Sequence, residues 1–260
     1  MKILSWNVNG LRARLDGVNR IIEDISHDIL CFQKVRVKGA IEIPGYAACA
    51  MPLGDGLFGG VCTYVKHGID IENQVVTIPE RLMITACISI FDLGSFVLVN
   101  AYFPYANASN EKFVKARLRW DSEFHDFIVG LCCRKPVILC GDLNIVAQDI
   151  DAWDNKSIKN AGCFFPWEHQ NFDVMMRDAG LVDSYRSLNP SKREYTFFYN
   201  NKPEYRLLNQ GHRIDYFLVS RALMPDVVSS TILTDVVDAA STPILLETER
   251  MNVDCCLTAL

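Results

Sequence analysis

The chain is short of positive charge. Its 26 Lys and Arg stand against 31 Asp and Glu, a net charge of −5, so no overall basic field announces a nucleic-acid partner, although a local basic groove remains open. The ten cysteines are Cys31, Cys49, Cys62, Cys87, Cys132, Cys133, Cys140, Cys163, Cys255 and Cys256. They contain no C-x-x-C pair and no His/Cys cluster at zinc spacing, which excludes the common structural zinc modules. Most lie in apolar runs such as "VILC", where a thiol packs as a small hydrophobe. No Pro/Gly/Ser-rich linker, charge run, low-complexity segment or fixed-period repeat interrupts the chain, so one domain over residues 1–250 is expected, followed by a tail at 251–260. No apolar run reaches ~18 residues, and the start lacks a signal peptide's charged, apolar and small-residue order. A protein of a reducing intracellular compartment, with no membrane partner, is the expectation. Nothing chooses among nucleus, cytoplasm and mitochondrion.

What is present is apolar and alternates in type. Half of the residues are hydrophobic. "KILSWNV" (2–8), "DILCFQ" (28–33), "GGVCTYV" (59–65), "MITACISI" (83–90), "SFVLVNAYF" (95–103), "PVILCGDLN" (136–144) and "RIDYFLVS" (213–220) read as strands. Helical patterns fill 16–26, 111–131, 168–179 and 221–226. In the longest, Phe113, Leu118, Phe124, Phe127 and Ile128 oppose Lys112, Lys115, Arg119 and Asp121 at a rough 3.6-residue period, as on a helix packed against a sheet. A mixed α/β layered domain follows. Polar residues collect where strands end, at Asn7, Asn9, Gln33, Tyr102, Asp142, Asn144 and Asp215, and such an edge is a natural place for a site.

"LCGDLNIVAQDID" is the most informative string. An apolar strand delivers Asp142 and Asn144 two residues apart, hence on one face. Such an Asp can orient an attacking water and such an Asn can donate to a phosphate oxygen. Alone, the pair reads more readily as an Asx-turn closing a strand.

It does not stand alone. "SWNVNGLRA", "FQ" after a strand, "VNAYFP", "GDLN", "KNAG" and "RIDYFLVS" occur in this order. Together they resemble the exonuclease III and class II apurinic/apyrimidinic endonuclease branch of the endonuclease/exonuclease/phosphatase superfamily, across residues 2 to about 248. Non-LTR retrotransposon endonucleases share the plan. The resemblance implies a DNase I-like fold, a four-layered α/β sandwich of two mainly antiparallel sheets flanked by helices, with the site at one end. It places Asn7 near the metal, Tyr102 at the scissile phosphate, Asp142 as water-orienting aspartate, Asn144 as its phosphate-binding neighbour, and Asp215 as the aspartate that orients a catalytic histidine.

Three departures matter more. Where the family has a Glu that ligates Mg²⁺, the chain has Lys34; where it has Asp-His near the C-terminus, the chain has Ala240 and Ser241. Mg²⁺ needs oxygen ligands, usually one or two carboxylates plus waters. At ~4 Å and an effective dielectric near 20, an ammonium repels each unit charge of the ion by roughly 4 kcal/mol. Loss of a general acid/base costs about 10² to 10⁴ in rate. Two roles are open to Lys34: its ammonium can neutralise Asp142 and Asp215 and keep the site folded without metal, or its side chain simply bends into solvent.

The DNA-handling surface is altered too. Phe197 keeps one aromatic of the family's abasic-sugar pocket, whereas His212 takes the place of a tryptophan. Lys202 and Arg206, with Lys192 and Arg193 nearby, are candidates for phosphate contact or for a solvated loop. His169 reads as a surface helix residue. The expectation is a catalytically inactive member of the superfamily without cofactor, retained as a binding or structural module in a protein assembly or on DNA or RNA, with residues 251–260 a possible docking segment. The alternative is an active Mg²⁺-dependent phosphodiesterase acting as an AP endonuclease or 3'-5' exonuclease in DNA base excision repair.

Overall fold

Strands that are apolar on both faces need cover on both sides, and this requirement organises the molecule. The structure, a computed structural model, describes residues 1–37, 39, 41–50, 59–69, 82, 88–154, 161–199, 204–236 and 241–249. The strands are β1 (Lys2–Asn7), β2 (Ile29–Gln33), β3 (Tyr46–Ala50), β4 (Val61–Lys66), β5 (Ile88–Asp92), β6 (Val97–Tyr102), β7 (Val137–Asp142), β8 (Leu181–Asp183), β9 (Asp215–Ser220), β10 (Val227–Ile232) and β11 (Ile244–Thr248). They form a sheet in the order β10-β11-β1-β2-β4-β3 and a second in the order β5-β6-β7-β9-β8. Within each sheet one central pair, β1 with β2 and β6 with β7, is parallel, and the other pairs are antiparallel.

Alternate residues of each central strand serve different layers. Ile3, Ile29, Cys31, Ile138, Cys140, Phe217 and Val219 fill the space between the sheets. Leu4, Trp6, Leu30 and Phe32 face outward and pack with Val18 and Ile21 of helix α1 (Leu15–Asp24). On the other side Val97, Val99, Val137 and Leu139 meet Trp120, Phe124 and Ile128 of α2 (Glu111–Cys132) and Phe172 and Met175 of α3 (Pro166–Asp178). The expected four-layered sandwich is present. Among the described residues no helix is long and apolar enough to cross a membrane, and the described cysteines are free.

Local chemistry sets the helix bounds. Pro166 opens α3 at a position where a missing N–H costs nothing, and Glu168 accepts from the Phe165 N–H at 3.1 Å. The 221–226 segment is a 3₁₀ helix with Pro225 inside it, not an α-helix. On α2 two expectations are corrected. Leu118 is exposed, and Asp121 turns its side chain inward, 7% exposed, as the ion-pair partner of Arg117, which is itself almost wholly buried. The strand expected at 83–90 begins at Ile88 in the described chain and runs on to Asp92; residues 83–87 lie outside the described residues. Strands β3, β8 and β10, and the short helices α4 (Ser184–Leu188) and α5 (Glu204–Leu207), were not expected.

Between the layers runs a polar seam. Gln33 Nε2 donates to Ser5 Oγ at 2.9 Å and, across the sheets, to Asn100 Oδ1 at 2.8 Å; Asn100 Nδ2 donates to Thr63 Oγ1 at 3.1 Å. Thr63 and Ser89 hydroxyls are 2.8 Å apart. Gln33 therefore points into the core as a bridge between sheets, directly beneath the residue that follows it, Lys34.

Candidate functional site

The ends of β1, β2, β6 and β7 and the start of β9 lie at one edge of the sandwich. Pairing registers Asn7 with Gln33, Tyr102 with Asp142, and Asp142 with Asp215. The two sheets are joined there by the side-chain bond from Asn7 Nδ2 to Asp142 Oδ2 at 2.7 Å. Gly141 makes the close approach of β6 and β7 possible: at φ +136°, a Cβ on it would stand 1.8 Å from the Ala101 carbonyl oxygen.

Asp142 then turns the chain. Its Oδ1 accepts the Asn144 N–H at 3.0 Å, with Asn144 in the left-handed region at φ 47°, where Asn is tolerated better than most residues. Asn144 Nδ2 donates to the Phe103 carbonyl at 2.8 Å, so part of the amide expected to meet phosphate is tied to the frame. Arg117 holds the same loop from behind, donating to the carbonyls of Pro104 at 3.0 Å and Asn144 at 3.1 Å. In the sequence Arg117 has the look of any helix-surface arginine; no local signal marks it.

Asp215 is held by what flanks it. Thr196 Oγ1 accepts the N–H groups of Ile214 and Asp215, and Ser241 Oγ donates to Asp215 Oδ2 at 3.3 Å. Asp215 Oδ1 is buried without a hydrogen-bond partner. An aspartate whose expected histidine is replaced by a shorter serine leaves such an orphaned oxygen. Just before it, Arg213 bonds Asp151 at 2.7 Å and Asp183 at 2.6 Å, with Arg186 also on Asp151, a buried network that anchors the start of β9.

Lys34 sits in the left-handed region at φ 55°, next to Gly59, where a Cβ would come within 3.2 Å of the Lys34 Cγ. Its Nζ lies 5.9 Å from the centre of the Tyr102 ring. Burial lowers the ammonium from its usual value, and Asp142 opposes that shift. Asp142 in turn is lifted by burial to about 6, against the pull of Asn7, the Asn144 N–H, Lys34 and Arg117. Asp215 is raised by burial and then by Asp142. Among the described residues the cleft thus holds the buried carboxylates of Asp142 and Asp215 and the Lys34 ammonium, with the Arg36 charge acting on that ammonium.

The seven residues expected in one cleft that the structure describes, Asn7, Lys34, Tyr102, Asp142, Asn144, Asp215 and Ser241, do come together. Ala240, Lys202, residues 155–160 of the stretch before "AG", and the tail 251–260 lie outside the described residues. His212 is buried, with Phe164 and Tyr199 rings in edge contact at 5.2 and 5.9 Å. Arg206 lies 4.4 Å over the Phe198 ring and donates to Thr242 Oγ1 at 2.9 Å. Phe197 pairs by isolated bridges with both His212 and Ser241, and His169 is part-exposed on α3.

The donor set does not fit Mg²⁺ at the place the resemblance implies. Asn7 turns its N–H₂ to Asp142 while its Oδ1 accepts the Asn9 N–H, Gln33 is sequestered in the core, Lys34 is cationic, and an alanine at 240 has no donor wherever it lies. Among the described residues no group of three or more His, Cys, Asp or Glu is placed to hold a metal ion.

The sequence model described as the Endonuclease/Exonuclease/phosphatase family matches residues 4–241. The DNA repair nuclease APEX1 of Danio rerio is 34% identical over 274 aligned residues, covering 95% of this chain and 81% of that protein. An exodeoxyribonuclease of Bacillus subtilis is 29% identical, covering 95% and 98%. Of solved structures, an AP endonuclease from Archaeoglobus fulgidus superposes with a TM-score of 0.85 at 21% identity, over 96% of this chain and 99% of the other. A 3'-5' exonuclease from Neisseria meningitidis gives 0.81 at 23% identity, over 96% and 100%. At those identities the likeness is one of fold.

Proposed function

Because the chain belongs to the endonuclease/exonuclease/phosphatase family, we propose that its cleft binds the phosphodiester backbone of DNA, with the Lys34 ammonium as resident cation and without metal-dependent hydrolysis. The observation that carries this reading is the reach of Lys34 into the cleft, beside Tyr102 and electrostatically coupled to Asp142. An ammonium is a compact point charge with three donors, suited to a phosphate oxygen. Tyr102, and the amide hydrogen of Asn144 that Phe103 leaves over, supply neutral donors beside it. The relatives' names favour DNA as the polymer: one is a DNA repair nuclease and one an exodeoxyribonuclease.

Those names also favour a second reading, phosphodiester hydrolysis, as does Asp142, whose carboxyl near pH 6 is held by Asn7 and the Asn144 N–H in an orientation fit to direct a water. Calorimetric titration with Mg²⁺ and Mn²⁺, run beside anisotropy with labelled single-stranded and duplex DNA and a nicking assay on abasic duplex, separates the two. The first reading expects DNA binding, no metal isotherm and no nicking. Metal-dependent nicking that disappears in Asp142→Asn establishes the second instead.

A further inference from the structure

Beside the cleft the structure places a run of aromatic rings that starts on the buried cluster of Val146, Ala152, Cys163 and Ile214, against which Phe164 packs, and continues outward to the surface. Phe164 meets His212 at 5.2 Å, His212 meets Tyr199 at 5.9 Å, Tyr199 meets Tyr205 at 6.3 Å and Tyr205 meets Trp153 at 5.8 Å between ring centres. The series begins buried and ends at the surface: His212 is 4% exposed, Tyr199 43% and Trp153 37%. It joins the cleft through Phe197, which touches Tyr199 at 5.3 Å and is bridged to Ser241, the hydrogen-bond donor to Asp215. Of these rings only Phe197 and His212 stand at positions that the resemblance connects with an abasic sugar. Tyr199, Tyr205 and Trp153 do not.

We propose that Tyr199, Tyr205 and Trp153 form a stacking platform for unpaired nucleobases, so that the DNA held in the cleft is single-stranded at this point. The inference rests on the DNA-binding reading above and names the form of its substrate. Exposed tyrosine and tryptophan offer flat π-faces with a polar rim, which suits a base with a wet edge better than it suits an apolar core. Stacking on such rings is tolerant of sequence, because every base has a π-face. Charge agrees with this occupant. Arg206, on the same short helix as Tyr205, is fixed over Phe198 and to Thr242, the neighbour of Ser241; Asn209 is bonded to the Arg193 carbonyl at 3.0 Å, which sets that arginine's segment against the same helix end. The Arg206 guanidinium thus stands between the ring-bearing helix and the cleft, and the Lys34 ammonium lies within the cleft beside Tyr102; Glu204 and Asp154 are the acidic residues on the platform side. A duplex keeps its bases stacked on each other and has no π-face to offer the platform.

The test uses the full chain and three labelled polymers of equal length: single-stranded DNA, its duplex, and a base-free deoxyribose-phosphate strand. Anisotropy is expected to give single-stranded DNA an affinity at least on the order of 10-fold above the base-free strand, and Tyr199→Ala or Trp153→Ala to remove roughly 5- to 100-fold of it. Trp153→Phe should restore most of the loss, since a ring is restored. Both residues are exposed, so the variants are expected to keep the wild-type circular dichroism. Equal binding of the single strand and the base-free strand, or unchanged affinity in the alanine variants, overturns the platform and leaves the cleft reading intact. No binding of any polymer sinks that reading and the platform with it. Leu207, the last residue of that helix, and Leu208 just after it are exposed, so sedimentation is run as well: a dimer dissolved by Tyr199→Ala assigns the face to a second copy of the chain and also overturns the proposal.

Discussion

Asp142 and Asp215 are direct partners in the antiparallel pairing of β7 with β9, so two buried carboxylates stand side by side at the cleft edge. Both are pushed above the ordinary carboxylate range, by burial first. A raised carboxyl means that the folded chain holds protons the unfolded chain has released. The stability it supports is present at low pH and declines as pH rises, for Asp142 from about 4 to about 6. Asp215→Asn removes one of the two charges. Its melting temperature is expected to exceed that of the wild type at pH 8 and to match it near pH 4. Equal offsets at the two pH values would sink the explanation.

Lys34 opposes the same repulsion. Lys34→Met keeps the aliphatic stem and removes the charge, leaving Asp142 with Asn7, the Asn144 N–H and the more distant Arg117 as its favourable neighbours. Because burial outweighs the attraction of Asp142 in the lysine's own shift, the variant is expected to be at least as stable as the wild type at pH 8, where Asp142 is ionised. Denaturant titration at pH 8 and pH 5 reads it, with the larger gain at pH 5, where a protonated Asp142 no longer offsets the buried ammonium. In DNA binding the same variant should lower the slope of log affinity against log salt by about 0.7 for single-stranded DNA, or about 0.9 for whatever duplex binding occurs.

Much of this was open to inspection in the sequence, and the reason is burial. Central strands covered on both faces are written as apolar runs, and β1, β2, β4, β6, β7 and β9 are visible for that reason. The hidden strands are short or polar. β3 is "YAACA", β8 has three residues, and β10 alternates buried and exposed positions around two serines. They exist because a neighbour's edge needs pairing, which is information carried by β4, β9 and β11. The cleft residues were legible because each sits at a strand end, whereas the residues that hold them were not. Arg117, Thr196 and Arg213 act through backbone carbonyls, backbone amides and buried carboxylates brought near by the fold. Gln33 was legible as polar at a strand end, but its direction into the core was not.

Gly141 is the tightest point beneath the cleft. Gly141→Ala would require a Cβ 1.8 Å from the Ala101 carbonyl oxygen at a φ of +136° that L residues rarely adopt. Relief demands separating β6 from β7, where Tyr102 is registered with Asp142. A loss of several kcal/mol is expected, enough to leave little folded protein at 37 °C. Soluble expression and a thermal melt check it, and a variant that melts within a few degrees of the wild type contradicts the packing described.

Arg213 supports the other side of the cleft. It is buried against Asp151 and Asp183 and stacks on Tyr216 at 4.5 Å. Arg213→Met fills the volume but leaves Asp151 with Arg186 alone and Asp183 with no guanidinium from β9's approach. Removing one partner from a buried pair typically costs about 3 to 5 kcal/mol. Chemical denaturation should register that loss, and Arg213→Lys should recover only part of it, because an ammonium cannot reproduce the forked contacts to two carboxylates. Full recovery by lysine would mean that charge alone, not geometry, anchors the start of β9.

Glu168 offers the clearest pH signature. Its side chain is fully buried, its Oε2 accepts the Phe165 N–H at 3.1 Å, and its Oε1 lies 3.7 Å from Arg117 Nη1 without a hydrogen bond. Burial outweighs the attraction of Arg117 and lifts its carboxyl from 4.5 to about 7. Between those two values the folded chain carries a proton that the unfolded chain does not, so stability falls as pH rises through this window, by roughly 3 kcal/mol in all. His27 and His212, both lowered to about 4 by burial, act in the opposite sense below pH 6.5, so the informative quantity is the difference between variant and wild type. Glu168→Gln still accepts the Phe165 N–H and has no charge to bury. Its stability relative to the wild type is expected to climb from pH 4.5 to pH 7 and then level off, as read from denaturant unfolding at closely spaced pH values. A difference that stays flat across this range would show that Glu168 is ionised throughout and that Arg117, rather than burial, governs it.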